Sequence, residues 1–375
     1  MTIHKLSPER AQPEGQPFSV GVSFQHDLYD VGEAVFKTRA IQAFENAATR
    51  YAIHRRFRCA VRRELAEVFD DLALNTGLAP QRMNTESLLL DGPGVFAQVT
   101  GERKAEYTSC TFNLWTETKQ SSHEVRERLL SAVGERLLAE QMFVIDWQFS
   151  NSRGTLVSVS FEEMAEEVLH DEAYPSLGMP VCDFVQRYLH AQETVLVLQG
   201  PPGTGKTRLV RYILGAMSRR KRDSAEVMYT ADKRALEKDE IFVEFITGTH
   251  DAFVIEDADH MMQARSSGNQ DLHRFLGIAD GVVRAQGRKI IFTTNLPNIG
   301  DLDEALLRPG RCFGVVKGRS LNSDEIERLV IRLCAGNVDS CKQAMDRLLA
   351  AGSRTASVAN VYRACNDVTG EALAR

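Results

Sequence analysis

Eight consecutive residues, Gly200-Pro201-Pro202-Gly203-Thr204-Gly205-Lys206-Thr207, have the types and spacing that hold phosphate groups. Glycines let successive backbone N–H groups turn inward onto phosphate oxygens, and a helix opening at the loop adds its positive end. Lys206 is then placed to reach the β- and γ-phosphates, and Thr207 to hold Mg²⁺. The flanks have the required form: Val195-Leu196-Val197-Leu198-Gln199 reads as an apolar strand and Arg208–Leu214 as the start of a helix. A plain Gly/Pro turn between strand and helix would need neither flank.

Two further apolar strands deliver polar residues to the same end of a sheet. Ala252-Phe253-Val254-Ile255 ends in Glu256 and Asp257. One carboxylate there can hold Mg²⁺ and a second can orient the attacking water. By register Glu256 falls on the Mg²⁺ side and Asp257 is the candidate general base, although either carboxylate could serve both roles. Ile290-Ile291-Phe292-Thr293-Thr294 ends in Asn295, which can hydrogen-bond both a γ-phosphate and a water. Farther on, Arg308-Pro309-Gly310-Arg311 sets two arginines in a rigid turn, suited to the γ-phosphate of a neighbouring subunit.

In this order and spacing, Gly200–Thr207, Phe253–Asp257, Thr294-Asn295 and Leu302–Arg311 resemble the AAA ATPases, over about Val181 to Val316 and more weakly to Arg375. The resemblance implies ATP and Mg²⁺ as cofactors and a homo-oligomeric ring, usually a hexamer. It further implies ATP sites between subunits and a nucleotide cycle that remodels a bound macromolecule. Within the family, the Glu-Asp order and the segment Asp271 to Arg311 are similar to the branch of mitochondrial chaperones that assemble the Rieske subunit, and to bacterial relatives. Threading members carry an aromatic-apolar-Gly loop after the second core strand. Here Tyr229-Thr230-Ala231-Asp232-Lys233-Arg234-Ala235-Leu236-Glu237-Lys238 is polar and charged, so Tyr229 is expected to end a strand rather than grip a polypeptide.

These groups need a scaffold. Downstream of the loop, strand-like and helix-like stretches alternate through Glu226–Tyr229, Asp239–Ile246, Ala252–Ile255, Asp271–Arg284, Lys289–Thr293 and Phe313–Val316. That order implies an α/β fold, a parallel sheet with helices on both faces and ligands at the strands' C-terminal ends. From about Leu321 three helices follow, the first opened by Asn322-x-x-Glu325, making a helical lid. The sequence singles out no lid arginine; Arg354 is near, and it reads equally as surface charge.

Upstream, residues 1–32 read as a polar arm. Residues 33–172 read as a smaller α+β domain, helical from Glu33 to about Leu74 and then strand-rich from Ser87 to Phe161. It carries one helix opened by Ser121-x-x-Glu124 and, after the strands, a short acidic helix over Glu162 to His170. The ATPase core is expected over 173–317 and the lid over 318–375. The N-terminal domain shows no catalytic constellation, and by elimination it is the region that would engage a protein substrate.

The chain has 375 residues and a net charge of −6, so the molecule as a whole has no electrostatic case for wrapping nucleic acid. The basic runs His54–Arg58 and Arg219–Arg222 could touch phosphate backbones or be solvated helix faces. Seven scattered cysteines without C-x-x-C pairs point to a reducing cytoplasm, and no apolar run is long enough to span a bilayer. The readings in order are an ATP-hydrolysing ring acting on a protein, an ATPase acting on nucleic acid, and a nucleotide-dependent scaffold with little hydrolysis.

Overall fold

The computed structural model describes residues 51–370 except 105–106, 135–136, 139–141, 166, 263–286, 299–303, 309 and 351–353, together with Thr38 and Ile41. The expected arm over 1–32 and the helical stretch over 271–284 lie outside the described residues. The chain divides into two compact units, 1–136 and 137–375.

In the first unit, β1 (Ile53–Val61), α1 (Leu65–Asn75), β2 (Ala79–Arg82), β3 (Ser87–Gly92), β4 (Val95–Arg103), β5 (Thr108–Thr116) and α2 (Lys119–Val133) follow one another. The strands pair antiparallel in the order β2-β3-β4-β5-β1. One core gathers Phe57, Cys59 and Val61 of β1, Val68 and Leu72 of α1, Phe112 and Leu114 of β5, and Val125 and Leu129 of α2. The basic run His54–Arg58 lies in β1 rather than in the expected helix. With Phe57, Cys59 and Val61 buried at every second position, the period there is two, and the helix begins only at Leu65. Thr118, not Ser121, caps α2, its side chain accepting the Ser121 N–H at 3.1 Å.

The second unit carries a seven-stranded sheet. Its strands are β6 (Met142–Ser150), β7 (Leu156–Met164), β8 (Val195–Gln199), β9 (Ala225–Thr230), β10 (Ala252–Ile255), β11 (Lys289–Thr294) and β12 (Cys312–Lys317). The spatial order is β12-β8-β11-β10-β9-β6-β7, parallel throughout except for the antiparallel edge strand β7. Strands β8, β10 and β11 are buried along their whole length, which is why they read as unbroken apolar runs. Around them lie α3 (Val181–His190), α4 (Lys206–Lys221), the short α5 (Lys233–Leu236), α6 (Asp239–Thr247) and the short α7 (Asp259–Met262). Two clusters form the cores on either side, one holding Leu196, Leu198, Val210 and Ile213, the other Val195, Val197, Phe245 and Phe253.

Two expectations change here. The boundary near 172 falls inside the second unit, because β6 and β7 extend the seven-stranded sheet beyond β9 instead of joining the upstream antiparallel sheet. Alternating apolar residues identify a strand but not its partner, which is chosen by long-range pairing. Residues 162–164, expected in an acidic helix, instead end β7, and Glu163 and Glu167 accept hydrogen bonds from Arg211 and Arg208 of α4.

The lid comprises α8 (Ser323–Leu333), α9 (Val338–Ala350) and α10 (Val358–Thr369). The predicted capping box is present: Glu325 N–H donates to Asn322 Oδ1 at 3.0 Å, and Asn322 N–H donates to Glu325 Oε2 at 2.9 Å. Arg319 adds two hydrogen bonds to the same carboxylate, each 2.7 Å, and holds its pKa down at about 2. No helix among the described residues is long and apolar enough to cross a membrane.

Candidate nucleotide-binding site

The loop 200–207 follows β8 directly and opens α4. Gly205, the residue before that helix, has φ +86°, a backbone form that L side chains rarely adopt. A Cβ on Gly205 would also stand 2.8 Å from the Tyr174 hydroxyl, which donates to the Gly205 carbonyl at 3.0 Å. Burial pushes the Tyr174 pKa up, so this hydroxyl keeps its proton and its role as donor. A side chain at Gly200 would strike the Gly318 carbonyl at 2.3 Å. The loop is therefore pinned from the linker before α3 and from the end of β12.

Lys206 Nζ lies folded over the loop, donating to the carbonyls of Gly200 (2.6 Å) and Pro201 (3.2 Å) and to Asn295 Oδ1 (2.9 Å). Desolvation lowers its pKa, partly opposed by Asp257, Asp259 and Glu256. Asn295 in turn donates through Nδ2 to Asp257 Oδ1 at 2.9 Å. Asp257 sits at φ +50°, and its N–H donates to Thr293 Oγ1 at 3.1 Å. This left-handed turn is sparsely populated by non-glycine residues, though asparagine and aspartate tolerate it best. It ends β10 and leaves the Asp257 carboxylate exposed at the mouth of the site.

Glu256 occupies the other side. Thr207 Oγ1 donates to its Oε1 at 2.9 Å and the Tyr229 hydroxyl to its Oε2 at 2.8 Å. A hydroxyl and a carboxylate at this separation form a set of hard oxygen donors that fits Mg²⁺. Asp259, which sequence reasoning passed over, braces Asn295: its Oδ1 accepts from Thr294 Oγ1 at 2.6 Å and from the Asn295 N–H at 2.8 Å. The only signal for it was a third acid two residues beyond the pair.

Lys206, Thr207, Glu256, Asp257 and Asn295 line one cleft of about 980 Å³ between the phosphate loop and α10 of the lid, bounded there by Val358, Ala359, Tyr362 and Arg363. The lid is tied to the loop, the Ala359 N–H donating to the Gly203 carbonyl at 3.0 Å. Arg208, one residue past Thr207, lays its guanidinium over the Tyr362 ring at 4.5 Å. Arg363 is the arginine of α10 on the cleft wall; helical phase brings it there, and no local motif marks it.

The two arginines of the turn part company. Arg308 is exposed, whereas Arg311 is only 4% exposed and its guanidinium donates to the Ala305 carbonyl. Of the two arginines expected to serve a neighbouring subunit, only Arg308 is exposed; the turn folds Arg311 back onto its own chain. In the basic run at the end of α4, Lys221 bonds Asp251 at 2.7 Å and Arg220 bonds the Leu189 carbonyl, so both are engaged within the unit.

A parallel α/β sheet with a phosphate loop, a carboxylate pair at the next strand's end and a helical lid over the cleft defines a nucleoside-triphosphate-binding domain. More narrowly, residues 196–318 match the ATPase family associated with various cellular activities (AAA). Relatives include the ATP-dependent zinc metalloprotease FtsH 3 of Symbiobacterium thermophilum, 30% identical over 188 residues, which cover 44% of this chain and 29% of the relative. The proteasome-activating nucleotidase 2 of Halobacterium salinarum is 28% identical over 190 residues, covering 44% of this chain and 43% of its own. The probable mitochondrial chaperone BCS1-B of Dictyostelium discoideum is 24% identical over 186 residues, covering 40% and 39%. The chain spans less than half the length of each of these relatives.

Proposed function

We propose that this protein is a Mg²⁺-dependent ATPase that assembles into a homo-oligomeric, sixfold ring and remodels a protein partner held by its N-terminal unit. The observation that supports it most directly is the continuous chain Lys206–Asn295–Asp257 beside the pair Thr207–Glu256.

In this reading the backbone of Gly200–Thr207 cradles the phosphates, and Lys206 exchanges its carbonyl partners for phosphate oxygens. Thr207 and Glu256 would hold Mg²⁺, which would supply positive charge to offset that of the phosphates. Asp257 accepts the proton of the attacking water, and Asn295 keeps that carboxylate aimed at the γ-phosphate side. Asp257 is one methylene shorter than a glutamate, so the water must approach closely. Arg308, outward and charged, is the finger offered to a neighbouring subunit's γ-phosphate, while Arg311 braces the turn that presents it. The N-terminal unit supplies a separate folded surface for a partner. The polar segment after β9 favours moving or reshaping a folded cargo over gripping an extended chain. A reducing cytoplasm is the proposed compartment, supported by seven free cysteines.

The deciding experiment is turnover by the purified oligomer alongside Asp257→Asn. ATP bound and hydrolysed by the wild type, and bound but not hydrolysed by the variant, supports the reading. ATP bound without hydrolysis by either would reduce the protein to a nucleotide-dependent scaffold. Pull-down with the hydrolysis-blocked form then identifies the partner.

A further inference from the structure

Glu256 is held at both oxygens, and only one of the two donors belongs to the phosphate loop. Thr207 reaches Oε1 at 2.9 Å; the other donor, the Tyr229 hydroxyl on Oε2 at 2.8 Å, comes from the neighbouring strand β9. The two strands are locked in register where this happens, Tyr229 opposite Val254 and Thr230 opposite Ile255, and the Glu256 N–H continues the ladder to the Thr230 carbonyl at 3.0 Å.

The Tyr229 ring is itself fixed. Trp147 of β6 packs edge-on against it with centroids 6.3 Å apart. Both rings line a cleft of about 270 Å³ that also touches Thr207 and Glu256. The phenol thus arrives with its orientation set by packing, so the hydrogen bond costs little further ordering.

Glutamate has one more rotatable bond than aspartate, so a single tether at Oε1 leaves its carboxylate free to swing about that contact. A second tether at Oε2 removes that freedom. We infer that Tyr229 is a positioning residue for Glu256, fixing the longer arm of this carboxylate so that Oε1 stays beside the Thr207 hydroxyl. The inference rests on the reading of Thr207 and Glu256 as the Mg²⁺ pair. Tyr229 acts through Glu256 and touches no reacting atom.

The test uses the full chain and Tyr229→Phe, which keeps the ring and removes only the hydroxyl. ATP affinity is measured by calorimetry with Mg²⁺ and again in EDTA, and the ratio of the two isolates the metal-dependent part. Loss of one hydrogen bond predicts that this ratio falls roughly 3- to 10-fold. The Mg²⁺ concentration for half-maximal turnover should rise by a similar factor, with EDTA affinity and melting temperature unchanged. In a Glu256→Asp background, whose shorter arm cannot make both contacts, Tyr229→Phe should change the ratio no further. An unchanged ratio, an equal loss with and without Mg²⁺, or a full effect in the Glu256→Asp background would overturn the inference. A wild type whose ATP binding gains nothing from Mg²⁺ would overturn the reading of the site itself, and this inference with it.

Discussion

Asn295 and Asp257 are joined by a 2.9 Å hydrogen bond in which the side-chain amide donates to the carboxylate, while the amide's own oxygen accepts from Lys206. Lys206, proposed to bind the phosphates, and Asp257, proposed to activate water, are thus one side chain apart. A change at the phosphate loop can reach the base without any backbone movement.

Asp257→Asn should bind ATP with near wild-type affinity and lose turnover by about 10²–10⁴-fold, the range for a positioned general base. Asn295→Ala should leave binding within a few fold and lower turnover less severely than Asp257→Asn. Single-turnover kinetics with calorimetry separate the two terms. An Asp257→Asn enzyme with undiminished turnover would remove Asp257 from the base role.

Lys206→Ala should abolish measurable ATP binding while leaving the fold intact, because Nζ makes its polar contacts to two loop carbonyls and to Asn295 and none to a hydrophobic core. A fluorescent ATP analogue reports the binding, and circular dichroism reports the fold.

Arg308→Ala and Arg311→Ala should fail differently. Arg308→Ala removes an exposed charge, so melting should not move while turnover in the oligomer falls about 10³-fold or more. Mixed rings of wild-type and Arg308→Ala chains should lose activity out of proportion to the fraction of variant. Arg311→Ala removes a buried donor and should cost about 1–3 kcal/mol of stability. Undiminished turnover of Arg308→Ala in a proven monomer would refute the finger.

Stability of the lid should fall in acid. The Glu325 pKa is about 2 in the folded protein against an ordinary value of 4.5, held down mainly by Arg319. A depressed carboxylate pKa means that the unfolded chain takes up the proton first. The contribution is thus fully present above pH 4.5 and is lost as the pH falls from 4.5 toward 2. Glu325→Gln should flatten that part of the unfolding profile, and at neutral pH it should lower stability by about 1–2 kcal/mol through the weakened cap and ion pair. Denaturant titrations between pH 2 and 7 measure both effects.

Much of the site is legible in the chain because its parts are local. Gly200–Thr207 lies between an apolar strand and a helix, and Glu256-Asp257 and Asn295 each end an unbroken apolar run. A strand buried on both faces must be apolar throughout, and in a parallel sheet its carboxyl end faces the ligand, so run and terminal residue together state the role. The same holds for Asn322 and Glu325, whose capping box needs only three residues of spacing.

What remained hidden depends on contacts far apart along the chain. Tyr229 meets Glu256 across 27 positions, Lys206 meets Asn295 across 89, and β6 joins β9 rather than the upstream sheet. Alternation in 142–150 and 157–161 is satisfied by either partner, and only pairing in three dimensions chooses. His54–Arg58, read as helical, is a strand for the complementary reason: charged residues with long stems suit a helix face and a sheet face alike, and the buried Phe57, Cys59 and Val61 decide. Arg308 and Arg311 are the same residue type in one short turn. Sequence placed both beside a phosphate, and it took the folded turn to send one outward and satisfy the other on Ala305. The chain alone determined which chemistry is present; the tertiary structure decided which side chains are free to perform it, because a buried polar group must find a partner and so becomes unavailable to a ligand.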